Sequence, residues 1–151
     1  MTNIREAEIR DASRIAEILV FTKRTNYRRI FHDDKVSFGE IQVYPVAKSY
    51  IDEPKTLDGI WVYDDEFVKG MIHIKGDEVA ELYVDPFFEN EGIGSRLMDL
   101  AVKEKHCRCL WVLEKNKDAQ RFYARHGFVL TDERRLEAGT KEYVRKMTCK
   151  D

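Results

Sequence analysis

Residues 82–100, LYVDPFFENEGIGSRLMDL, restrict the possible folds more than any other part of the sequence. An apolar strand ends at Pro86, and after a short loop Gly92 and Gly94 open a helix. Glycine carries no Cβ, so backbone N–H groups here can approach a ligand closely, and the first N–H groups of a helix have no intrahelical acceptor. The segment therefore predicts a strand, a loop and a helix whose N-terminus binds a phosphate or pyrophosphate group.

The two glycines by themselves allow more than one interpretation. A dinucleotide-binding loop would need a third glycine at the position of Leu97, although Glu114 follows at the distance expected of a ribose-binding carboxylate. A Walker A loop would need a Gly-Lys-Ser/Thr sequence, which is absent. The remaining interpretation is a glycine-rich connection that binds no ligand.

The rest of the chain alternates between helical and strand patterns. Asp11 is a good N-cap, and Ile15 and Ile18 follow it at helical spacing. The predicted helices are 12–30, 36–50 with a break near Pro45, 93–105 and 116–126, and the predicted strands are 2–6, 59–63, 67–75, 78–85, 107–113, 128–136 and 141–148. This order predicts a single α/β (α+β) domain over residues 1–151, with a mixed, mostly antiparallel twisted sheet flanked by helices.

Charge and hydropathy exclude several classes of protein. The 26 Lys and Arg residues nearly balance 28 Asp and Glu residues, so a broad basic face for nucleic acid is not expected. No stretch approaches the roughly 20 apolar residues that span a bilayer. The N-terminal sequence MTNIREAEIRD has no apolar signal-peptide core, so we expect a cytoplasmic protein with no membrane partner.

Cys107 and Cys109 point to one face of a predicted strand. A zinc site needs further ligands at suitable spacing, and none is visible. We therefore expect buried free thiols and no metal site.

A second informative segment is LWVLEKNKDAQRFYARHGF, residues 110–128. Asn116, Ala119 and Tyr123 fall on one face of the predicted helix, where the small Ala119 allows close packing. The same pattern fits a capped helix with an aromatic stripe in the core, and the segment alone does not separate the two interpretations.

Together, these segments resemble the GCN5-related N-acetyltransferase (GNAT) superfamily over nearly the whole chain. The stretches that carry the resemblance, in chain order, are Ile4-Arg5-Glu6-Ala7 with Asp11-Ala12 and Ile15, Leu82-Tyr83-Val84-Asp85-Pro86, Gly92-Ile93-Gly94-Ser95-Arg96-Leu97, and Asn116, Ala119, Phe122-Tyr123 and Gly127-Phe128. The resemblance implies direct transfer of an acetyl group from acetyl-CoA to a primary amine of a small molecule or peptide.

The family's site residues transfer to matching positions of this chain. The resemblance implies that acetyl-CoA is bound by Leu82, Tyr83, Val84, Glu89, Asn90, Glu91, Gly92, Ile93, Gly94, Ser95, Arg96, Asn116, Ala119 and Tyr123. It also implies that Tyr123 is the general acid for the leaving thiolate and that the Val84 N–H binds the carbonyl oxygen. Asn116 would bind the coenzyme A arm or a water, or serve as a plain N-cap.

The general base is assigned to Glu81, working through a water as glutamates on this strand do in some relatives. Strand alternation places Glu81 and Tyr83 on the face opposite Leu82, with Tyr83 toward the acceptor. A solvated or salt-bridged Glu81 is the alternative, and His73 is a weaker candidate for the base.

One departure from the family pattern concerns the loop. The family begins it with Gln or Arg, whereas this chain has Glu89, Asn90 and Glu91 before the first glycine. The two carboxylates predict weaker coenzyme A binding, and they support an alternative function as a non-catalytic acyl-CoA-binding sensor or partner module. Asn90 tolerates a left-handed backbone better than most residues.

Two further expectations concern partners. The basic and aromatic segment 24–32 is predicted to border the acceptor pocket and to favour an anionic or aromatic acceptor, or a peptide. The C-terminal strands offer an edge for a homodimer.

Overall fold

The computed structural model describes residues 3–31 and 42–149. His32 of the predicted acceptor segment and residues 36–41 of the second predicted helix lie outside the described residues.

The order of helices and strands is the one predicted. The elements are β1 (Ile4–Glu6), α1 (Ala12–Phe31), α2 (Val43–Asp52), β2 (Ile60–Asp65), β3 (Phe67–Lys75), β4 (Glu78–Val84), α3 (Ile93–Asp99), β5 (Cys109–Leu113), α4 (Lys117–Arg125), β6 (Phe128–Leu136) and β7 (Tyr143–Cys149). Short 3-10 turns cover Ile9–Asp11, Pro54–Leu57 and Pro86–Phe88.

The seven strands form one sheet in the order β1-β2-β3-β4-β5-β7-β6. The β1–β2, β2–β3, β5–β7 and β6–β7 pairs are antiparallel, whereas β4 and β5 are parallel. The parallel pair matches Glu78 with Cys109 and Val79 with Leu110. The predicted mixed, mostly antiparallel sheet is therefore confirmed.

The chain forms two compact units, and β3 and β4 contribute residues to both. The first unit contains the residues up to His73 together with Glu81–Leu97. Its core is apolar and draws on α1, α2, β2 and β3, through Ala12, Ile15, Ile18, Tyr50, Leu57, Ile60, Val62, Val68 and Met71. The helical spacing of Ile15 and Ile18 therefore marked the buried face of α1 correctly.

The second unit contains Ile74–Ala80 and Met98–Asp151. Its buried apolar residues include Met98, Leu100, Ala101, Leu110, Val112, Phe128, Val144 and Met147. Strand β6 lies at an edge of the sheet, and its register with β7 shifts between Leu130 and Arg134. Such a bulge interrupts an edge ladder, and the homodimer stays a prediction.

Most predicted boundaries differ from the structure by one or two residues, and α2 contains Pro45 in its first turn, where a break was predicted. The end of α3 and the start of β5 are two of these differences. Helix α3 ends at Asp99 and continues as a π-helical turn, Leu100–Glu104. Strand β5 begins at Cys109 and not at Cys107, because the Cys107 N–H donates back to the Ala101 carbonyl at 2.9 Å. This hydrogen bond keeps Cys107 with the end of the preceding helix.

Asp11 has a different role from the predicted N-cap of α1. Its buried carboxylate accepts two hydrogen bonds from the Arg5 guanidinium, at 2.8 and 2.9 Å, and one from the Glu8 N–H at 2.8 Å. Arg5 also donates to Asp64 on β2 at 3.0 Å. The carboxylate therefore ties β1 to the residues that precede α1, and through Arg5 to β2.

Burial alone would raise the pKa of Asp11, but the hydrogen bonds from Arg5 and Glu8 outweigh it and hold that pKa below its usual value. A lowered pKa in the folded state stabilises the protein above the unfolded-state value near 3.9, and this stabilisation is lost as the pH falls through the folded-state pKa. Replacing Asp11 with Asn removes both the charge and this pH dependence.

We expect D11N to lower the free energy of unfolding by about 2 kcal/mol at pH 7, because Arg5 loses a bidentate partner. Urea unfolding of wild type and D11N between pH 3 and 7 measures the difference. It should shrink below about pH 4, because the unfolded wild-type chain takes up a proton at Asp11 before the folded protein does. A difference that stays constant down to pH 3 would contradict this account.

Candidate functional site

The loop after β4 is held at its start by the buried Asp85. The Asp85 carboxylate accepts from Arg14 of α1 at 2.6 Å and from the Phe87 N–H at 2.9 Å. The Asp85 N–H donates to the Lys69 carbonyl of β3 at 2.9 Å. One residue therefore connects α1, β3 and the first turn of the loop, all within the first unit.

The loop then takes two left-handed residues and enters α3. Asn90 has φ 65° and Gly92 has φ 81°. Both residues adopt the left-handed backbone conformation, which Asn90 was expected to tolerate. The first hydrogen bond of the helix runs from the Arg96 N–H to the Gly92 carbonyl at 3.1 Å. The N–H groups of Ile93 and Gly94 come before this bond and have no acceptor within the helix. This arrangement suits an anion.

The beginning of α3 rests on a glycine of β3. A Cβ built on Gly70 would lie 3.0 Å from Ile93 Cγ2, 3.2 Å from the Tyr83 carbonyl oxygen and 3.4 Å from Leu97 Cδ1. Ile93 and Leu97 are buried there. The close approach of helix and strand therefore requires glycine at position 70, which the sequence analysis did not single out.

The charged groups of the loop differ in their surroundings. Glu89, Asn90 and Glu91 are exposed, so both carboxylates lie in water. Arg96 donates from Nη1 to the Tyr63 hydroxyl at 2.5 Å, and its guanidinium lies 5.7 Å from the centre of the Tyr63 ring. The structure thus gives Arg96 a protein partner on β2.

Backbone direction along β4 bears on the predicted oxyanion donor. The Asp85 N–H and the Tyr83 carbonyl both face β3, the latter close to Gly70. Successive backbone groups of a strand point to opposite edges. The N–H groups of Leu82 and Val84 therefore point away from β3, the direction needed if Val84 is to donate to a ligand.

The predicted base, Glu81, lies on the face of β4 opposite Leu82. Glu81 Oε1 is 3.5 Å from His73 Nδ1 on β3, so the two candidates for the base form a pair. Tyr50 of α2 is buried, and burial together with the Glu81 charge raises the pKa of Tyr50 to about 12. Tyr83 packs against the same apolar core.

The remaining predicted residues belong to α4, in the second unit. Asn116 is the N-cap of α4, since its Oδ1 accepts from the Ala119 N–H at 3.1 Å. Gln120, which the sequence analysis did not mention, donates to the carbonyls of Leu113 and Glu114 at 3.1 and 2.9 Å. These bonds fix the start of α4 to the end of β5.

Tyr123 lies one turn further along α4, with its ring 5.3 Å from that of Phe122 in an edge-to-face arrangement. Burial raises the pKa of Tyr123 to about 12. No hydrogen bond to its phenol oxygen is found among residues 3–31 and 42–149. The phenol is therefore protonated at neutral pH and has a proton to donate.

The cysteines bear on metal binding and on thiol chemistry. Cys107 is buried and Cys109 half-buried, and both are free thiols. Burial raises the pKa of Cys107 to about 11, which makes it a poor nucleophile. The described part of the chain contains no group of three His, Cys, Asp or Glu residues placed to hold a metal ion. Within that same part, no helix has the length and apolar character needed to cross a membrane.

Asp85 and Gly70 were not assigned a role from the sequence, and the local patterns around them differ in how clearly they indicate one. Asp85 stands directly before Pro86, a pattern typical of turns, so its role in the loop was visible in principle. Gly70 lies within a strand pattern, where an isolated glycine suggests a close backbone approach. The partners of both come from distant parts of the chain, which local patterns do not reveal.

Comparison with known proteins gives a consistent result. Residues 56–130 match the family model described as an acetyltransferase (GNAT) domain. No curated protein is significantly similar to the chain in sequence. An N-acetyltransferase from Staphylococcus aureus Mu50 has a similar fold, with TM-score 0.75, 17% identity, and coverage of 96% of this chain and 98% of its own.

Two further solved structures are similar and hold a coenzyme. The yncA protein of Salmonella typhimurium, solved with its cofactor acetyl-CoA, has TM-score 0.61 and 20% identity over 96% of this chain and 91% of its own. The PaiA N-acetyltransferase of Thermoplasma acidophilum, in complex with coenzyme A, has TM-score 0.54 and 20% identity over 95% of this chain and 96% of its own. At these identities the likeness establishes the fold.

We expect G70A to lower the free energy of unfolding by about 1–3 kcal/mol, because the new methyl group collides with backbone and with Ile93. Amide hydrogen exchange at residues 90–95 should become faster, since α3 must move. Gly76→Ala is the control: its φ of 63° strains the turn, but its Cβ would meet nothing within 4 Å. If amide hydrogen exchange at residues 90–95 were unchanged in G70A, the proposal that α3 is supported by its close packing on Gly70 would be contradicted.

Proposed function

The chain belongs to the GNAT superfamily of acetyltransferases, and on that premise we propose that it transfers the acetyl group of acetyl-CoA to a primary amine. The acceptor is a small molecule or a peptide. The observation that carries the proposal is the loop between β4 and α3, where Asn90 and Gly92 are left-handed and precede the free end of a helix.

The residues of this loop fit a pyrophosphate. The N–H groups of Ile93 and Gly94 have no acceptor within α3, and the helix dipole adds partial positive charge. Glu89, Asn90 and Glu91 contribute backbone N–H groups while their exposed side chains remain in water. Ser95, Ala119 and the Asn116 side chain are assigned to the same coenzyme by the family resemblance.

Acetyl transfer forms a C–N bond and breaks a C–S bond, with one proton leaving the amine and one reaching the thiolate. The thioester supplies an activated acetyl group. The Val84 N–H, which points away from β3, donates to the carbonyl oxygen as negative charge develops on it. Leu82 and Tyr83 line the arm of the coenzyme along β4.

Tyr123 and Glu81 handle the protons. The Tyr123 phenol is protonated at neutral pH, and it donates its proton to the leaving sulphur. Glu81 takes the proton of the attacking amine through a water. His73, at 3.5 Å from Glu81, is next to this carboxylate.

The acidic start of the loop supports a second candidate function. Glu89 and Glu91 stand where the family has Gln, Arg or Lys, and they oppose a pyrophosphate. A chain with weakened coenzyme binding could act as a non-catalytic acyl-CoA sensor or partner module. The acceptor, a homodimer and a cytoplasmic location remain parts of the proposal.

Calorimetric titration with acetyl-CoA tests the shared premise of both candidates, with NADPH as the control ligand. We expect saturable binding of acetyl-CoA and none of NADPH. The double variant E89Q/E91Q should bind about two- to tenfold more tightly, because each exposed carboxylate opposes binding by up to about 1 kcal/mol. The gain should shrink at high salt.

A matched variant, E53Q/D58N, removes the same charge from exposed residues between α2 and β2. It should leave the dissociation constant unchanged. Equal effects of the two double variants would show that net charge acts rather than the loop. No binding of acetyl-CoA by any of the variants would overturn the proposal.

Tyr123→Phe separates the enzyme from the binding module. We expect kcat to fall about 10²-fold or more, as for loss of a general acid, with the dissociation constant of acetyl-CoA unchanged. Release of the free thiol is measured with amino acids, peptides, aminoglycoside antibiotics and polyamines as acceptors. Tyr143→Phe, an exposed tyrosine of β7, is the control and should retain full activity. Equal activity of Y123F and wild type would contradict the assigned role.

A further inference from the structure

Three titratable side chains from three elements lie in or beside the core of the first unit. Tyr50 comes from α2, His73 from β3 and Glu81 from β4. The imidazole Nδ1 is 3.5 Å from the Glu81 carboxylate, and the charge of that carboxylate acts on the Tyr50 phenol. The proposed function uses only Glu81 of these three.

This pair is placed where an apolar pair would be the ordinary choice. His73 shares a strand face with Met71, and Glu81 shares one with Tyr83, and both of these neighbours pack in the apolar core. Taking a carboxylate out of water costs free energy unless it is hydrogen-bonded, and a half-buried polar pair adds little net stability. Stability alone therefore does not explain why this pair lies here.

The two side chains differ in their access to solvent. The Glu81 side chain is 24% exposed, whereas that of His73 is 12% exposed. Glu81 is therefore the more accessible of the two side chains. Because the ring approaches through Nδ1, it donates to Oε1 when its proton is on Nδ1.

We propose that His73 is a positioning residue for Glu81: its Nδ1–H holds Oε1, so that the other carboxylate oxygen faces the water that takes the amine proton. The inference rests on the proposed function, since it gives Glu81 its base role. The distance of 3.5 Å is long for a hydrogen bond, and such contacts commonly tighten when the substrate is bound.

The proton balance is simple. As the amine nitrogen forms its bond to the acetyl carbon, one N–H proton passes through the water to Glu81. The Glu81 proton then leaves to solvent, and His73 neither gains nor loses a proton. Tyr50, the other titratable group facing this carboxylate, is protonated at neutral pH because its pKa is raised to about 12.

The first test needs neither acceptor nor turnover. Nitrogen-15 NMR of histidine-labelled protein shows which ring nitrogen carries the proton, and H73N identifies the His73 signals by their absence. We expect the Nδ1–H tautomer in the wild type and a shift toward Nε2–H in E81A, which lacks the acceptor. An Nε2–H tautomer of His73 in the wild type, or a tautomer that E81A leaves unchanged, would overturn the proposed hydrogen bond from His73 to Glu81.

The second test measures transfer to the amine panel. H73A should lower kcat about tenfold or more, within the 10²–10⁴-fold that a general base supplies, with an unchanged KM for acetyl-CoA. H73N places an amide N–H near the position of Nδ1 and should recover most of the loss. Thermal unfolding midpoints of both variants show whether the fold is intact.

A double-mutant cycle with E81Q completes the test. If His73 acts only through Glu81, H73A should have no further effect on kcat in the E81Q background. Additive losses, or an H73N as impaired as H73A, would overturn the positioning role and leave the proposed function standing. Failure of the wild type to bind acetyl-CoA would instead overturn the proposed function. The NMR result would still show whether His73 donates a hydrogen bond to Glu81.

Discussion

The buried carboxylate of Asp85 is the interaction on which the candidate site depends. It accepts from Arg14 and from the Phe87 N–H, while its own N–H closes onto the Lys69 carbonyl. A carboxylate out of water must satisfy several lone pairs, and the turn provides a main-chain donor, the Phe87 N–H, for one of them. The direction in which the loop leaves β4 is therefore set before the first glycine, and Gly92 completes the turn into α3.

The strand β4 that ends at Asp85 also orients two groups that the proposed function uses, the Val84 N–H and the Glu81 side chain. Because the Asp85 N–H and the Tyr83 carbonyl face β3, the Val84 N–H must face the other way. Side chains alternate along the same strand, so Glu81 is directed toward the face that packs on Tyr50. One strand thus directs the Val84 N–H and the Glu81 side chain to different sides without any special local conformation.

Local patterns were sufficient for the elements and insufficient for the contacts between them. Strand alternation and helical spacing placed β2, β3 and β4 to within two residues, since these signals are contained in short windows. The start of β5 was misplaced because a hydrogen bond from the Cys107 N–H to the Ala101 carbonyl keeps Cys107 with the end of the preceding helix. Gly70 and the pairing of His73 with Glu81 depend on register across strands, which single-sequence patterns do not carry.

The carboxylates of the loop and the Tyr123 phenol lie in different surroundings, with different physical consequences. Glu89 and Glu91 are exposed, so water and salt screen them, and the backbone N–H groups dominate what the loop can bind. Tyr123 is half-buried, and burial raises the pKa of its phenol to about 12. Solvent therefore weakens the unfavourable charges of the loop, whereas burial makes ionisation of the Tyr123 phenol costly. Substitutions at positions 89–91 therefore change exposed side chains alone, whereas a substitution at Asp85 removes buried contacts of the loop.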